Sequence, residues 1–418
     1  MKTALASVAA LLIGVSILLT GQGLQGILLP VRAGLENFST IAIGIMGGAY
    51  FLGFTIGCLK GGELVKSVGH VRVFAAMTAL ASASPLLHGL LLEPWVWALL
   101  RAITGFCFAV LYVVIESWLN ERATNDNRGT IFSTYVMITL TMLAAGQMMT
   151  LLYDPKEMQL FAIASVLVSL AAIPVVLSRS PSPGIPTHVD VNVPRLFRIS
   201  PAGTIGCLAS GLANGSFWAL APVFATGISD DVSLASWFMT AAVIGGAVSQ
   251  WPIGYLSDKL GRRQLMAATG LAGALLGTFV FVSGMHSFVG LILFSAAWGF
   301  IAFPIYSIAV AHTNDYAEPD DYVMLSSGLL LMYGAGAIVG PFLASTLMTV
   351  AGAAALYAYT GAVHLLLVVY VIARSFRRAT VPEEHHMAFS DAMATAHTAS
   401  MVYEEEIQHI AEEKAEDQ

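Results

Sequence analysis

Long apolar runs recur along the chain at a nearly constant length. Each spans about 20 residues, the length a helix needs to cross a bilayer, and short polar breaks separate them. The runs are apolar all round rather than along one stripe, a pattern of membrane helices and not of surface helices on a soluble globule. Twelve spans are predicted, at approximately 4–30, 40–59, 71–91, 95–117, 129–152, 158–178, 201–226, 233–253, 264–284, 288–311, 323–350 and 353–374. The first run has the makings of a secretory signal, but it continues to Pro30 with no A-x-A pattern after it. It therefore counts as a span.

Composition agrees with the pattern. Hydrophobic residues make up 57% of the chain and charged residues 11%, and the mean hydropathy is +0.76. A soluble chain of this length would carry about twice that charge. The expected class is an all-α polytopic membrane protein. A Ser/Pro-rich stretch, "SRSPSPGIPTHVDVNVPRLFR", divides it into halves of six spans, giving an N-terminal bundle (1–178), a linker (179–200), a C-terminal bundle (201–375) and a tail (376–418).

Basic residues give an orientation. With the N-terminus in the cytoplasm, 16 of the 19 Lys and Arg fall on the cytoplasmic side, as the positive-inside rule expects. Both termini are then cytoplasmic. The net charge of −7 comes largely from the tail, where ten Asp and Glu face three basic residues, so it says nothing about the membrane core.

The segment "GYLSDKLGRR" (254–263) has a weaker twin, "GELVKSVGHV" (62–71). Gly62 and Gly69 match Gly254 and Gly261 at an offset of 192 (254−62, 261−69), while Asp258 is matched by Lys66, and Arg262 and Arg263 by His70 and Val71. The same offset carries Gln22 onto Asn214, Gly23 onto Gly215 and Pro30 onto Pro222. After a slip of two residues, "GFCFAVLY" (105–112) overlays "GFIAFPIY" (299–306), pairing Phe106 with Phe300 and Tyr112 with Tyr306. Two related halves about a pseudo-two-fold axis are an arrangement used by transporters, with the solute near the midplane.

These residues carry a resemblance to the major facilitator superfamily of secondary transporters across nearly all of the spans. "GYLSDKLGRR" looks like that family's loop signature, although the signature is usually best kept in the first half. "RAITGF" (101–106) resembles its Arg-x-x-x-Gly motif, and "GAGAIVGP" (334–341) a common small-residue pattern. Within the superfamily, "VIESWLNERATNDNRGTIFSTY" (114–135) resembles a bacterial subgroup of mostly unassigned solute carriers that brings riboflavin importers to mind. The resemblance implies two pseudo-symmetric six-helix bundles in the bacterial inner membrane, a monomer, and alternating access around a cavity lined by spans one, four, seven and ten.

Candidate chemistry falls into three groups. Gln22, Gln25 and Asn214 supply donors and acceptors to a polar solute without the desolvation cost of a charge, or else hold helices together. Phe106, Tyr112, Trp218, Trp298, Phe300 and Tyr306 could stack on a flat ring or simply pack, with Gln147 and Tyr333 as further candidates. Arg101 is a cation about two turns inside a span, expensive enough to suggest an anion-binding or coupling role, though it could snorkel outward. Glu116 is a carboxylate within an apolar run, either a proton site or the partner of Arg122 or Arg128.

The gating loop comprises Gly62, Lys66, Gly69, Gly254, Asp258, Gly261, Arg262 and Arg263. The family's fold would set Asp258 against Arg122 and Arg128, and Lys66 against Asp315, Glu318, Asp320 and Asp321: one latch with its signs exchanged.

Cys58, Cys107 and Cys207 lack metal-ligand spacing, and His88 and His364 stand alone on apolar spans, so neither metal nor cofactor is expected. His385 and His386 are adjacent, a poor geometry for one metal. No Gly-x4-Gly-Lys-Ser/Thr, His-Glu-x-x-His or Gly-x-Ser-x-Gly motif is present, which argues against an enzyme or an ATP motor. The expected partners are a small-molecule solute, the lipid bilayer and, in a proton-linked form, a coupling proton, with no nucleic acid. The expected activity is solute transport, with riboflavin uptake as its specific form. Proton-linked efflux is the alternative, and a non-transporting scaffold acting through the acidic tail is the alternative of another class.

Overall fold

A computed structural model describes residues 2–123, 127–177, 192–229, 231–317 and 322–375; the side chains of 2–7, 128, 322 and 323 are outside the description. The first half contains α1 (Lys2–Leu35), α2 (Thr40–Val68), α3 (His70–Leu90), α4 (Pro94–Arg122), α5 (Arg128–Met148), α6 (Gln159–Leu170) and α7 (Ala172–Val176). A short α8 (Val193–Ile199) precedes the second half. That half contains α9 (Pro201–Ile228), α10 (Ser233–Lys259), α11 (Arg262–Ser283), α12 (Phe288–Ala302), α13 (Pro304–Asn314), α14 (Tyr322–Ala351) and α15 (Ala355–Ser375). The pairs α6–α7 and α12–α13 each make one span, the second broken where Pro304 starts a new helix. Each of the twelve predicted spans falls on a helix or a helix pair, with ends shifted by up to nine residues (68−59 at the end of α2).

Local chemistry marks the ends. Ser39, Ser200 and Ser287 cap α2, α9 and α12 by accepting from Ala42, Gly203 and Gly290 amides. The breaks after α2 and α10 are tighter than the sequence predicts. Gly62, Lys66, Gly254 and Asp258 all lie within helices, and the breaks are Gly69 alone and Leu260–Gly261. The two glycines differ: Gly69 has φ 92, open to glycine but strained for other residues, whereas Gly261 has an ordinary φ of −58.

Among the described residues, eleven spans are long and apolar enough to cross a membrane, and α10 falls short. Its polar groups explain the shortfall. Trp237, Ile244, Val248, Trp251 and Tyr255 form its exposed stripe, while Ser236, Thr240, Ser249 and Ser257 are buried within the protein. A helix can thus present an apolar face outward and still carry a low mean hydropathy.

Close backbone approaches reproduce the duplication. Gly23 of α1 packs on Leu143 of α5, as Gly215 of α9 packs on Ala337 of α14. Gly146 meets the Thr20 carbonyl, as Gly340 meets that of Leu212. Gly53 meets the Ala102 carbonyl, as Gly245 meets that of Ala296, and Gly105 meets the Tyr50 carbonyl, as Gly299 meets that of Ala242. Positions on α1 and α2 map at 192 (215−23, 212−20, 245−53, 242−50), and positions on α4 and α5 at 194 (299−105, 296−102, 340−146, 337−143). The two-residue slip read from the sequence is present in the packing.

The halves meet at the end remote from the termini. There Gly44, Gly47 and Gly48 of α2 lie against Ser345, Ala219 and Ile338. Thr240 donates to Gln147 Oε1 at 3.2 Å, and Thr150 and Ser236 hydroxyls hydrogen-bond beside it, joining α5 to α10.

Any Cβ at Gly105 would overlap the α2 backbone, which cannot rotate aside as a side chain can. Gly105→Val should cost at least about 1–3 kcal/mol of stability. Gly34→Ala, at a position with open space around it, should change little. Thermal unfolding followed by size-exclusion chromatography in detergent compares the two.

Candidate solute site between the halves

Four residues share one face of α4. Arg101, Gly105, Tyr112 and Glu116 are spaced by four, seven and four, close to whole helical turns. Gly105 has no side chain to hold α2 away, so Tyr50 comes directly opposite. One turn earlier on α4, the Arg101 guanidinium lies over the Tyr50 ring, 4.1 Å from its centroid. Gln22 of α1 joins the cluster: its Nε2 donates to Tyr50 Oη at 3.1 Å, and its Oε1 accepts from Tyr112 Oη at 2.8 Å. Phe54 sits between the two tyrosines, 6.2 and 6.1 Å from them between ring centroids.

Arg101 is half-buried and takes part in no ion pair or hydrogen bond among the described residues. Snorkelling does not describe its placement. Tyr50 lies ten residues after the start of α2 (50−40), about 15 Å along that helix, so the cation points inward. Glu116 lies fifteen residues beyond Arg101 (116−101), about 22 Å along α4 and too far to pair with it. It makes no ion pair with Arg122 and no other hydrogen bond among the described residues; the Arg128 side chain is outside them. Cys58, Tyr112 and Tyr135 are near Glu116.

The second half answers with different chemistry. Asn214, the counterpart of Gln22, is buried beside Tyr333, and its Oδ1 has no hydrogen-bond partner among the described residues. Tyr333 packs edge-on against Tyr306 at 5.1 Å, and Trp218 stacks on Phe303 at 5.4 Å. The counterparts of Arg101, Tyr50 and Glu116 are Ser295, Ala242 and Val310. The charged groups of the site therefore belong to the first half and its largest stacked rings to the second.

Several candidates lie elsewhere. Gln25 is buried, and its amide bonds back to the Gly21 carbonyl of its own helix. Gln147 is fully engaged at the α5–α10 contact. Trp298 is completely buried against Phe217, 4.0 Å between ring centroids, and Phe106 and Phe300 pack on the cores of their own halves. Tyr50 and Phe54 join the first-half cluster, and Phe303 the rings of the second half, without having been singled out by the sequence. The offset between halves was the available signal for Tyr50, which stands where the other half has alanine.

The Lys66 arm of the exchanged-sign latch needs correction, while the arm that sets Asp258 against Arg122 and Arg128 involves the Arg128 side chain, which lies outside the described residues. Arg262 Nε lies 2.7 Å from Asp315 Oδ2, both side chains almost fully buried, and Asp258 follows at 3.9 Å from Arg262. Asp315 thus serves the C-terminal half rather than Lys66, which is exposed. The first-half counterpart of Arg262 is His70, whose Nε2 is 3.0 Å from Ser117 Oγ. Arg263 donates to Tyr316 Oη at 2.6 Å. Glu318, Asp320 and Asp321 lie outside the described residues.

Known proteins match this architecture. A family model for the Major Facilitator Superfamily matches residues 203–401, and one for sugar and other transporters matches residues 5–180. A protein of Enterobacter sp. (strain 638), described as an uncharacterized MFS-type transporter, is 29% identical over 83% of this chain and 90% of its own length. The MFS-type transporter YcaD of Escherichia coli O17:K52:H18 is 28% identical over the same shares. Among solved structures, the nucleoside transporter NupG superposes with a TM-score of 0.72 at 15% identity, over 89% of this chain and 99% of its own. A bacterial homologue of the lysosomal transporter Spinster, inward-facing and occupied, gives 0.71 at 13% identity, over 91% and 98%.

Removing one member of a buried ion pair leaves the other charge uncompensated. Asp315→Asn should therefore destabilise the protein by about 3–5 kcal/mol, while Lys66→Asp on the exposed end of α2 should leave stability within about 0.5 kcal/mol. Thermal unfolding of the two variants side by side measures the difference.

Proposed function

We propose that this chain, a multi-pass secondary transporter of the major facilitator kind, carries a flat, polar organic solute through the Gln22–Tyr50–Tyr112 site by alternating access. The observation that carries the reading is Gln22, whose amide bridges two tyrosines from different helices and whose counterpart in the other half, Asn214, has an acceptor without a partner among the described residues. Polar groups of the first half would read the edge of the solute, and Trp218 with Phe303 would stack on its face. The contacts of α2 and α5 with the second half close the end remote from the termini. With both termini cytoplasmic, that end is the outer one in this conformation. The family models and relatives are transporters rather than enzymes.

Riboflavin uptake is the specific form we put first. Riboflavin is a fused flat ring with a polar edge, and the nucleoside named for one structural neighbour is also a heteroaromatic with a polyol-like arm. Growth and uptake of a riboflavin auxotroph expressing the chain provide the test, with a panel of other vitamins and nucleosides alongside. Uptake should fall at least about tenfold in Gln22→Ala, the effect of losing about 1–2 kcal/mol of hydrogen bonding at the site. No uptake across the panel removes the riboflavin form.

One observation favours proton-linked efflux as a second reading: Glu116 sits on the site's face of α4 without a basic partner among the described residues. In that reading, Glu116→Gln abolishes movement driven by a pH gradient in proteoliposomes but leaves solute exchange intact. The tail from 376 lies outside the described residues. Deleting 379–418 should leave uptake unchanged, whereas a scaffold acting through the tail would lose its activity.

A further inference from the structure

We infer that the solute carries an anionic group, a carboxylate or phosphate on the flat ring system or its arm, and that Arg101 is its counter-ion. The inference rests on the reading of the Gln22–Tyr50–Tyr112 cluster as the solute site and departs from its riboflavin form: riboflavin is uncharged at neutral pH, so an anionic solute of similar flat shape takes its place.

Arg101 presents five N–H donors and no acceptor, and none of them is used by another described residue. Tyr50 Oη accepts from Gln22, which leaves its own O–H proton free to donate. Tyr112 has already given its proton to Gln22 Oε1. Acceptor capacity remains on the Tyr112 and Gln22 oxygens, but the five guanidinium donors outnumber it, and the one formal charge at this end of the site is positive. Neutral donors and acceptors in balance would suit an uncharged solute; a surplus of donors around a cation suits an anion.

Three alternative roles for Arg101 do not fit its surroundings. A structural ion pair needs an acid, and the ion pairs described in the first half are Arg32 with Glu36 and Lys60 with Glu63. Coupling to Glu116 along α4 spans about 22 Å, beyond two screening lengths in water and many side-chain lengths. Simple packing on Tyr50 explains where the cation rests, but the packed face of a guanidinium leaves its N–H edge pointing elsewhere. That edge is where a planar carboxylate or a phosphate makes two parallel hydrogen bonds.

The position also suits the division between the halves. The second half has Ser295 where the first has Arg101, and that hydroxyl is spent on the Phe238 carbonyl. An anionic group has one place to bind, so the solute is oriented with its charged end against α2 and α4 and its ring toward Trp218 and Phe303.

The test uses the purified full chain in detergent, with benzoate as the anionic probe and benzamide as its neutral, nearly isosteric partner. Phenylglyoxal labels accessible arginines, and mass spectrometry reads the modification of Arg101. Benzoate should protect Arg101 and raise the unfolding temperature with an apparent affinity at least roughly tenfold above that of benzamide, the size of one charge-assisted hydrogen bond. Arg101→Gln should abolish the difference between the probes, and Arg101→Lys should retain part of it. Equal protection by both probes, no labelling of Arg101 at all, or full benzoate selectivity in Arg101→Gln would each overturn the inference. Should Arg101→Gln fail to fold, labelling of the wild-type chain still decides. The binding experiment needs no transport, so a solute panel that fails in uptake and a benzoate site that fails here are separate results.

Discussion

The contact on which the candidate site depends is a backbone-to-backbone approach of α2 and α4 at Gly53 and Gly105. Without a Cβ at either position, the helices close to within carbonyl contact, and everything one turn away is fixed by that distance. Arg101 is one turn from Gly105, and Tyr50 supplies the carbonyl that Gly105 touches. The cation therefore meets the ring as a result of helix packing and not of flexible side-chain search. The energetics agree in scale. A cation within a span costs about 2.5–3.5 kcal/mol on insertion scales, and a desolvated cation–π contact returns about 2 kcal/mol. The small remainder can be carried by the packed helices, so Arg101 is tolerable without a ligand and still has its donors to give.

The same approach occurs in the second half at Gly245 and Gly299, yet it positions no charge. Ala242 and Ser295 stand where Tyr50 and Arg101 stand in the first half, and the rings at Trp218 and Phe303 stand where the first half has Gly26 and Ala109. Duplication has preserved the glycine contacts that set helix geometry and released the side chains between them. One half has become polar and cationic, the other aromatic. On the proposed reading of the site, unlike walls would impose an orientation on the solute that two identical walls could not.

Most of the architecture was legible because it rests on periodic, local features. Apolar run length located the spans, and the glycine offsets located the repeat, down to the two-residue slip that the packing of Gly105 on Tyr50 and Gly299 on Ala242 reproduces. What escaped were relations between helices within a half. The offset says which residues are equivalent, not which are adjacent. It paired Lys66 with Asp258 but gave no means of knowing that Asp315 would turn to Arg262, one helix away in its own half. Gln147 looked like a cavity amide because α5 is apolar around it, whereas its partner Thr240 lies on α10, 93 residues away. Tyr50 gave no signal by type, since a tyrosine in an apolar run usually packs. Its significance came from the departure from its twin.

The closed end of the molecule sets how strongly a solute must act. Interhelical hydrogen bonds in membranes are worth about 0.6 kcal/mol each, so the Gln147–Thr240 and Thr150–Ser236 contacts resist separation only weakly. The glycine contacts of α2 with Ala219, Ile338 and Ser345 add close packing that is lost once the helices part. Under the proposed alternating access, such a seam would be a two-state device of modest depth. A solute can shift it only by binding the two states differently, and a site split between unlike halves supplies that difference directly. When the halves move, donors on α1, α2 and α4 and rings on α9 and the α12–α13 span change their separation. A solute that bridges both walls then favours the arrangement that fits its length, and one that touches a single wall has no leverage on the seam.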